Sequence, residues 1–195
     1  MKKIFLLAFA IVSLSVSAQV TVRPGVRGGF VTSDVTDING TNRNDFYVGT
    51  FLAIKLAKWY KLQPEIAYSR QGMKARYTSF DPAVSSMDVN WDLDYVGLTI
   101  NNKFYVFRGL NLQIGPYLDF LVNSKNINPN SDADTGLNLG IGYDFKNGLG
   151  VELRFRGGLI DIFEDEFDED YYDEYTHLNG AIQIGVTYTF DLKKK

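Results

Sequence analysis

One histidine and no cysteine limit the chemistry open to this chain of 195 residues. Nucleophilic catalysis of the Ser-His-Asp kind needs an imidazole held between a hydroxyl and a carboxylate. The single candidate, His177, follows the acidic run DIFEDEFDEDYYDEYT and reads as a solvated loop residue. No serine and aspartate are placed on strand ends to complete a triad with it. Without cysteine there is neither a thiolate metal site nor a disulfide framework. Carboxylates are more plentiful. Nine of the fourteen residues from Asp161 to Glu174 are acidic, interleaved with Phe163, Phe167, Tyr171 and Tyr172. Carboxylate oxygens suit Ca²⁺ or Mg²⁺, and Asp165, Glu166, Asp168, Glu169 and Asp170 are the candidate ligands for a weak divalent site. Their spacing is not that of an EF-hand. A solvated acidic loop and an adhesive surface are the competing readings.

A second set of charges is scattered along the chain: Arg23, Arg27, Lys55, Glu65, Asp119, Asp144, Glu152, Arg154 and Arg156. Each falls on the polar side of an alternating segment. In LNGAIQIGVTYTF, Leu178, Gly180, Ile182, Ile184, Val186, Tyr188 and Phe190 alternate with Asn179, Ala181, Gln183, Gly185, Thr187 and Thr189. That is a strand with one oily and one polar face. The pattern recurs around residues 20–30, 46–56, 62–69, 110–122, 137–145 and 149–156. In one further segment it slips. Val89, Trp91, Leu93 and Tyr95 occupy odd positions, whereas Val96, Leu98 and Ile100 occupy even ones. A one-residue slip turns every side chain over, so a bulge is expected near Tyr95 and Val96. The total is eight strands.

Their connections alternate in length. KWYK (58–61), FRG (107–109) and KNG (146–148) are tight turns. Residues 32–44, 72–87, 123–135 and 160–177 form longer connections. This is an all-β, eight-stranded antiparallel up-and-down meander with its long loops at one end. Such a sheet closes as a barrel in one of two ways. In a soluble lipocalin-like barrel the oily face lines a ligand cavity. In a transmembrane β-barrel the oily face meets lipid and the polar face fills the lumen. The polar sets are rich in Gly, Ala, Asn, Gln, Ser and Thr, whereas a wet outer surface is dense in Lys and Glu. Tyr68, Phe120, Phe145, Phe155, Tyr188 and Phe190 sit on oily faces, several near strand ends, as interfacial girdles do. The membrane barrel is therefore the expectation. Its inward charges either pair and plug a narrow lumen or line a narrow ion path.

The N-terminus agrees. Lys2 and Lys3 precede IFLLAFAIVSLSV, and Val16 and Ala18 are the small residues expected before a cleavage site. Residues 1–18 thus read as a secretory signal peptide, and residues 19–195 as the barrel domain. Without Lys2 and Lys3 the balance is 18 basic to 23 acidic side chains, a net charge of −5. That argues against a nucleic-acid partner.

QPEIAYSRQG (63–72), GLNLGIGYDFKNGLGVELRFRGGLIDI (136–162) and the final VTYTF together resemble the Bacteroidetes outer-membrane β-barrel family, the PorT-like or porin family. The resemblance covers residues 19–190. It implies an eight-stranded outer-membrane barrel of the OmpA and OmpX type, and no reaction. DLKKK after Phe190 departs from the commoner ending, in which the aromatic is terminal. The implied role is structural or interactive, in the cell envelope, with no catalysis and no cofactor. The implied partners are outer-membrane lipid, lipopolysaccharide and the barrel-assembly machinery, with an unidentified envelope protein as a further possibility. The alternatives are a small channel or a transport or secretion accessory, and a soluble lipocalin-like carrier.

Overall fold

The computed structural model describes residues 20–35, 40–77, 87–126, 131–159 and 179–191. Its elements are all strands: β1 (Thr21–Val35), β2 (Gly40–Lys55), β3 (Tyr60–Tyr77), β4 (Met87–Phe107), β5 (Leu110–Lys125), β6 (Ala133–Asp144), β7 (Leu149–Gly158) and β8 (Asn179–Thr189). Each pairs antiparallel with its sequence neighbour, and β1 pairs with β8, so the sheet closes into a barrel in simple meander order. Closure leaves no unpaired edge, which is what lets a sheet sit in hydrocarbon.

The tight turns form where turn chemistry permits them. Arg108 and Gly109 both have positive φ, 32° and 103°, as a two-residue hairpin between twisted strands requires. Gly148, at φ 90°, does the same between β6 and β7. At the other end the β1–β2, β3–β4 and β5–β6 connections are shorter than the sequence pattern suggests, because the strands run on into them. β1 continues to Val35 and β2 begins at Gly40, inside the stretch expected as a loop. β3 and β4, of 18 and 21 residues, outrun the roughly 9–11 that cross a bilayer.

Alternation is realised side chain by side chain. In β8 the Ile184 side is 61% exposed while neighbouring Gln183 is 2% exposed. Val151, Leu153 and Phe155 of β7 point out, while Glu152, Arg154 and Arg156 point in. The exposed face is the apolar one, which overturns the lipocalin-like alternative. In that design the oily face would be the buried one.

The slip expected in β4 takes another form. β4 pairs with β3 without interruption from Tyr60↔Phe104 to Tyr77↔Met87. From Leu93 to Lys103 its odd residues face inward: Leu93 and Tyr95 are buried alongside Thr99, Asn101 and Lys103. The irregularity lies in β5, where Val122 is the extra residue between the pairs Asp94↔Asn123 and Tyr95↔Leu121. The strand does not turn over; its surroundings do. Val96, Leu98 and Ile100 lie in the apolar belt. Beyond it, towards the loops, the outer side carries Asp94, which pairs with Arg70 and accepts a hydrogen bond from Asn123. There the outside is polar, so the apolar residues go inside. Val31, Tyr47 and Ala181 form a small buried apolar cluster on the inner face.

Candidate functional site

The inner faces of the strands converge on one network. Arg27 on β1 lies between two carboxylates. Its Nη1 donates to Glu65 Oε2 at 2.6 Å and its Nε to Glu152 Oε1 at 3.0 Å. Arg154 on β7 grips the same two acids. Nη1 and Nη2 donate to Glu65 Oε2 and Oε1 at 2.7 and 2.8 Å, and Nη2 to Glu152 Oε2 at 2.9 Å. All four side chains are no more than 3% exposed. Alternation brings them together. The residues point inward from β1, β3 and β7, and Glu152 and Arg154 are two apart on one strand. Two charges of each sign in mutual contact satisfy the requirement that a buried ion be paired.

Amides complete the shell. Arg27 Nη2 donates to Gln183 at 3.1 Å, Arg154 Nε to Gln113 at 2.8 Å, and Gln63 to Glu65 at 2.9 Å. Gln113 continues to Asn101 and Asn111 at 3.0 and 2.9 Å. The Tyr47 ring lies 4.6 Å under the Arg27 guanidinium, and its hydroxyl is 3.5 Å from Glu152.

Two smaller groups flank this centre. Towards the loops, Arg156 Nη2 donates to Asp119 at 3.0 Å and stacks on Tyr117 at 3.8 Å. The Tyr117 hydroxyl donates to Asp134 at 3.3 Å. Towards the tight turns, Asp144 accepts from Lys61 at 2.8 Å and from the Tyr105 hydroxyl, with Lys103 Nζ at 3.6 Å.

Of the inward charges expected from sequence, Arg27, Glu65, Asp119, Glu152, Arg154 and Arg156 are therefore buried in the lumen, and Asp144 is half-buried at its turn end. Arg23 and Lys55 are not part of the network. Both are exposed at the turn-end mouth, where Arg23 meets Asp191 at 3.8 Å. Lys103, only 2% exposed and 4.0 Å from Glu152, was not foreseen. It follows Asn101 and Asn102, and a run of three polar residues hides the alternation. The outward Asn102 bonds to Tyr60 and to the Ile114 carbonyl. Extending the Leu98–Ile100 phase by one more step would have found the lysine. Asp134 falls in the stretch expected as a loop, 123–135, whereas inner amides such as Asn111, Gln113 and Gln183 stand on the polar faces that alternation identifies.

Asp165, Glu166, Asp168, Glu169, Asp170 and His177 lie outside the described residues. Among the described residues no group of three or more His, Cys, Asp or Glu is placed to hold a metal. A concavity of about 620 Å³ is on the outer wall, where Gly28, Gly29 and Gly185 leave a dent between Phe30, Ile184 and Val186. Its lining is apolar and faces the lipid side. A second cavity, of about 360 Å³, opens at the turn end over Lys61, Tyr105 and Asp144.

None of the curated protein sequences matches this chain. Solved structures with a similar backbone are outer-membrane barrels. Neisserial surface protein A aligns at 10% identity over 89% of this chain and 100% of its own, with a TM-score of 0.53. OprG from Pseudomonas aeruginosa aligns at 12% identity over 88% and 97%, TM-score 0.48. Ail, the attachment invasion locus protein of Yersinia pestis, aligns at 12% identity over 86% and 98%, TM-score 0.46. At these identities the likeness to the Neisserial protein bears on the fold alone. The family is decided separately. A model described as outer membrane protein beta-barrel domain matches residues 17–164. With a closed barrel, an apolar outer belt and that match, the chain belongs to the outer membrane protein beta-barrel domain family and resides in the cell outer membrane.

Proposed function

We propose that this protein is an occluded envelope barrel: a structural or docking element of the outer membrane that neither conducts nor catalyses. The observation that carries the reading is the Arg27–Glu65–Arg154–Glu152 network, no more than 3% exposed and surrounded by glutamines. Eight strands enclose an interior just wide enough for side chains. Here those side chains bond across it, from β1 to β3 and from β7 to β5. An ion entering the lumen would have to break charge-assisted hydrogen bonds in a low-dielectric interior. Function then falls to the two ends and the outer wall. Residues 1–18 serve as the export signal, and the tight turns face the periplasm, as is usual for such barrels. Within the family, the motifs at 63–72 and 136–162 support kinship with the PorT-like barrels of Bacteroidetes.

Planar-bilayer recording from purified protein tests occlusion. The expected result is no stable single-channel step. Reproducible large steps, abolished by substitution at Glu65, would defeat it in favour of the small-channel reading.

A further inference from the structure

We propose that the turn-end cavity is a binding site for the phosphate-bearing headgroup of an anionic phospholipid. Five basic residues line it, Arg23, Lys55, Lys58, Lys61 and Lys146, against the single acid Asp144. That acid is already engaged by Lys61, Lys103 and Tyr105. Arg23 is shared with Asp191. Lys55, Lys58 and Lys146 are exposed and make no ion pair among the described residues. Three ammonium groups therefore surround a cavity of about 360 Å³ with no carboxylate among the described residues paired to them. A compact anion with several acceptor oxygens fits that deficit.

The position favours a lipid over a free anion. Each tight turn sets a cation beside an outward aromatic: Lys58 next to Trp59, Arg108 next to Phe107 and Lys146 next to Phe145. The three rings are 60%, 64% and 49% exposed. Trp59, Tyr60 and Phe104 stack together, and Tyr143 packs on Phe145. Exposed aromatics at the rim of an apolar belt mark the membrane–water interface. The cations thus stand at headgroup depth, where basic side chains attract anionic lipid. Phe145 also lines the cavity, so the anion site and the lipid-facing girdle are continuous.

This inference rests on the membrane placement of the belt and is independent of whether the lumen conducts. Native mass spectrometry of the full barrel in detergent, with phosphatidylglycerol or zwitterionic phosphatidylethanolamine added, tests it. Phosphatidylglycerol should be retained several-fold more than phosphatidylethanolamine. The triple variant Lys55→Gln, Lys58→Gln, Lys146→Gln should lose that preference, and Lys→Arg at the same positions should keep it. The three single Gln variants should each weaken the preference in part, so the test survives poor folding of the triple. Equal retention of the two lipids by the unaltered protein, or an undiminished preference in the Gln variants, overturns the proposal. Displacement of phosphatidylglycerol by an equal concentration of inorganic phosphate would make it a free-anion site and overturn the lipid assignment.

Discussion

Charged residues in this barrel divide by burial, and their energetic weight divides with them. Glu65 accepts from Arg27, Arg154 and Gln63, all of them buried. Removing one member of such a network strands its partners, at a cost of about 3–5 kcal/mol. Glu65→Ala is therefore expected to destabilise the folded barrel by roughly that amount, read as a drop in the urea midpoint in lipid vesicles. Arg23→Ala is the contrast. Its pair with Asp191 is 3.8 Å long, with side chains 45% and 55% exposed. Solvent screens such pairs to about 0–1 kcal/mol. A midpoint in Glu65→Ala no lower than in Arg23→Ala would show that the lumen is wet and the network slack.

Each strand carries two solvents on two faces, and the last strand shows what that demands. Ile184 lies in the outer belt opposite Phe30 on β1 and Leu153 on β7. Ile184→Arg should cost about 2–4 kcal/mol, the penalty for arginine on a barrel's lipid face near the midplane. Alternation alone suggests that arginine at the inward neighbour, Gln183, is mild. The structure argues otherwise. Gln183 accepts from Arg27 at 3.1 Å and sits in register with Arg154. Gln183→Arg would set three guanidinium groups around two carboxylates. Both substitutions should lower the urea midpoint in vesicles. A Gln183→Arg barrel as stable as the unaltered protein would refute the close packing assigned to the lumen.

The barrel as a whole is polar along its axis, with tight basic turns at one end and longer connections at the other. Residues 161–174, nine of them acidic, belong to the connection between β7 and β8 on the long side. Epitope tags inserted at 38–42 and 165–170 should react with antibody on intact cells, because long connections face outward in such barrels. A tag at Asn147, in a tight turn, should react only after permeabilisation. Labelling of the Asn147 tag on intact cells would reverse the orientation, and with it the leaflet that supplies the proposed lipid.

Eight strands, their order and their oily sides follow from local alternation and turn residues. Those are properties of neighbouring residues, as in Ile182-Gln183-Ile184, and need no knowledge of the rest of the chain. The inward placement of Arg27, Glu65, Glu152 and Arg154 was legible for the same reason. Which of them touch was not, because contacts such as Arg27–Glu152 join residues 125 apart and depend on closure of β1 onto β8. Closure also separates Arg23 and Lys55, exposed at the mouth, from the buried six, although all share the polar phase. The strand ends were misjudged because polarity signals a loop only when strand surfaces meet one solvent. Here Leu93 and Tyr95 turn inward as β4 leaves the apolar belt, so the pattern changes phase while the backbone does not. A sequence records which side of a strand is oily. Only the assembled barrel decides where along each strand the medium outside changes from lipid to water, and so which side must be oily there.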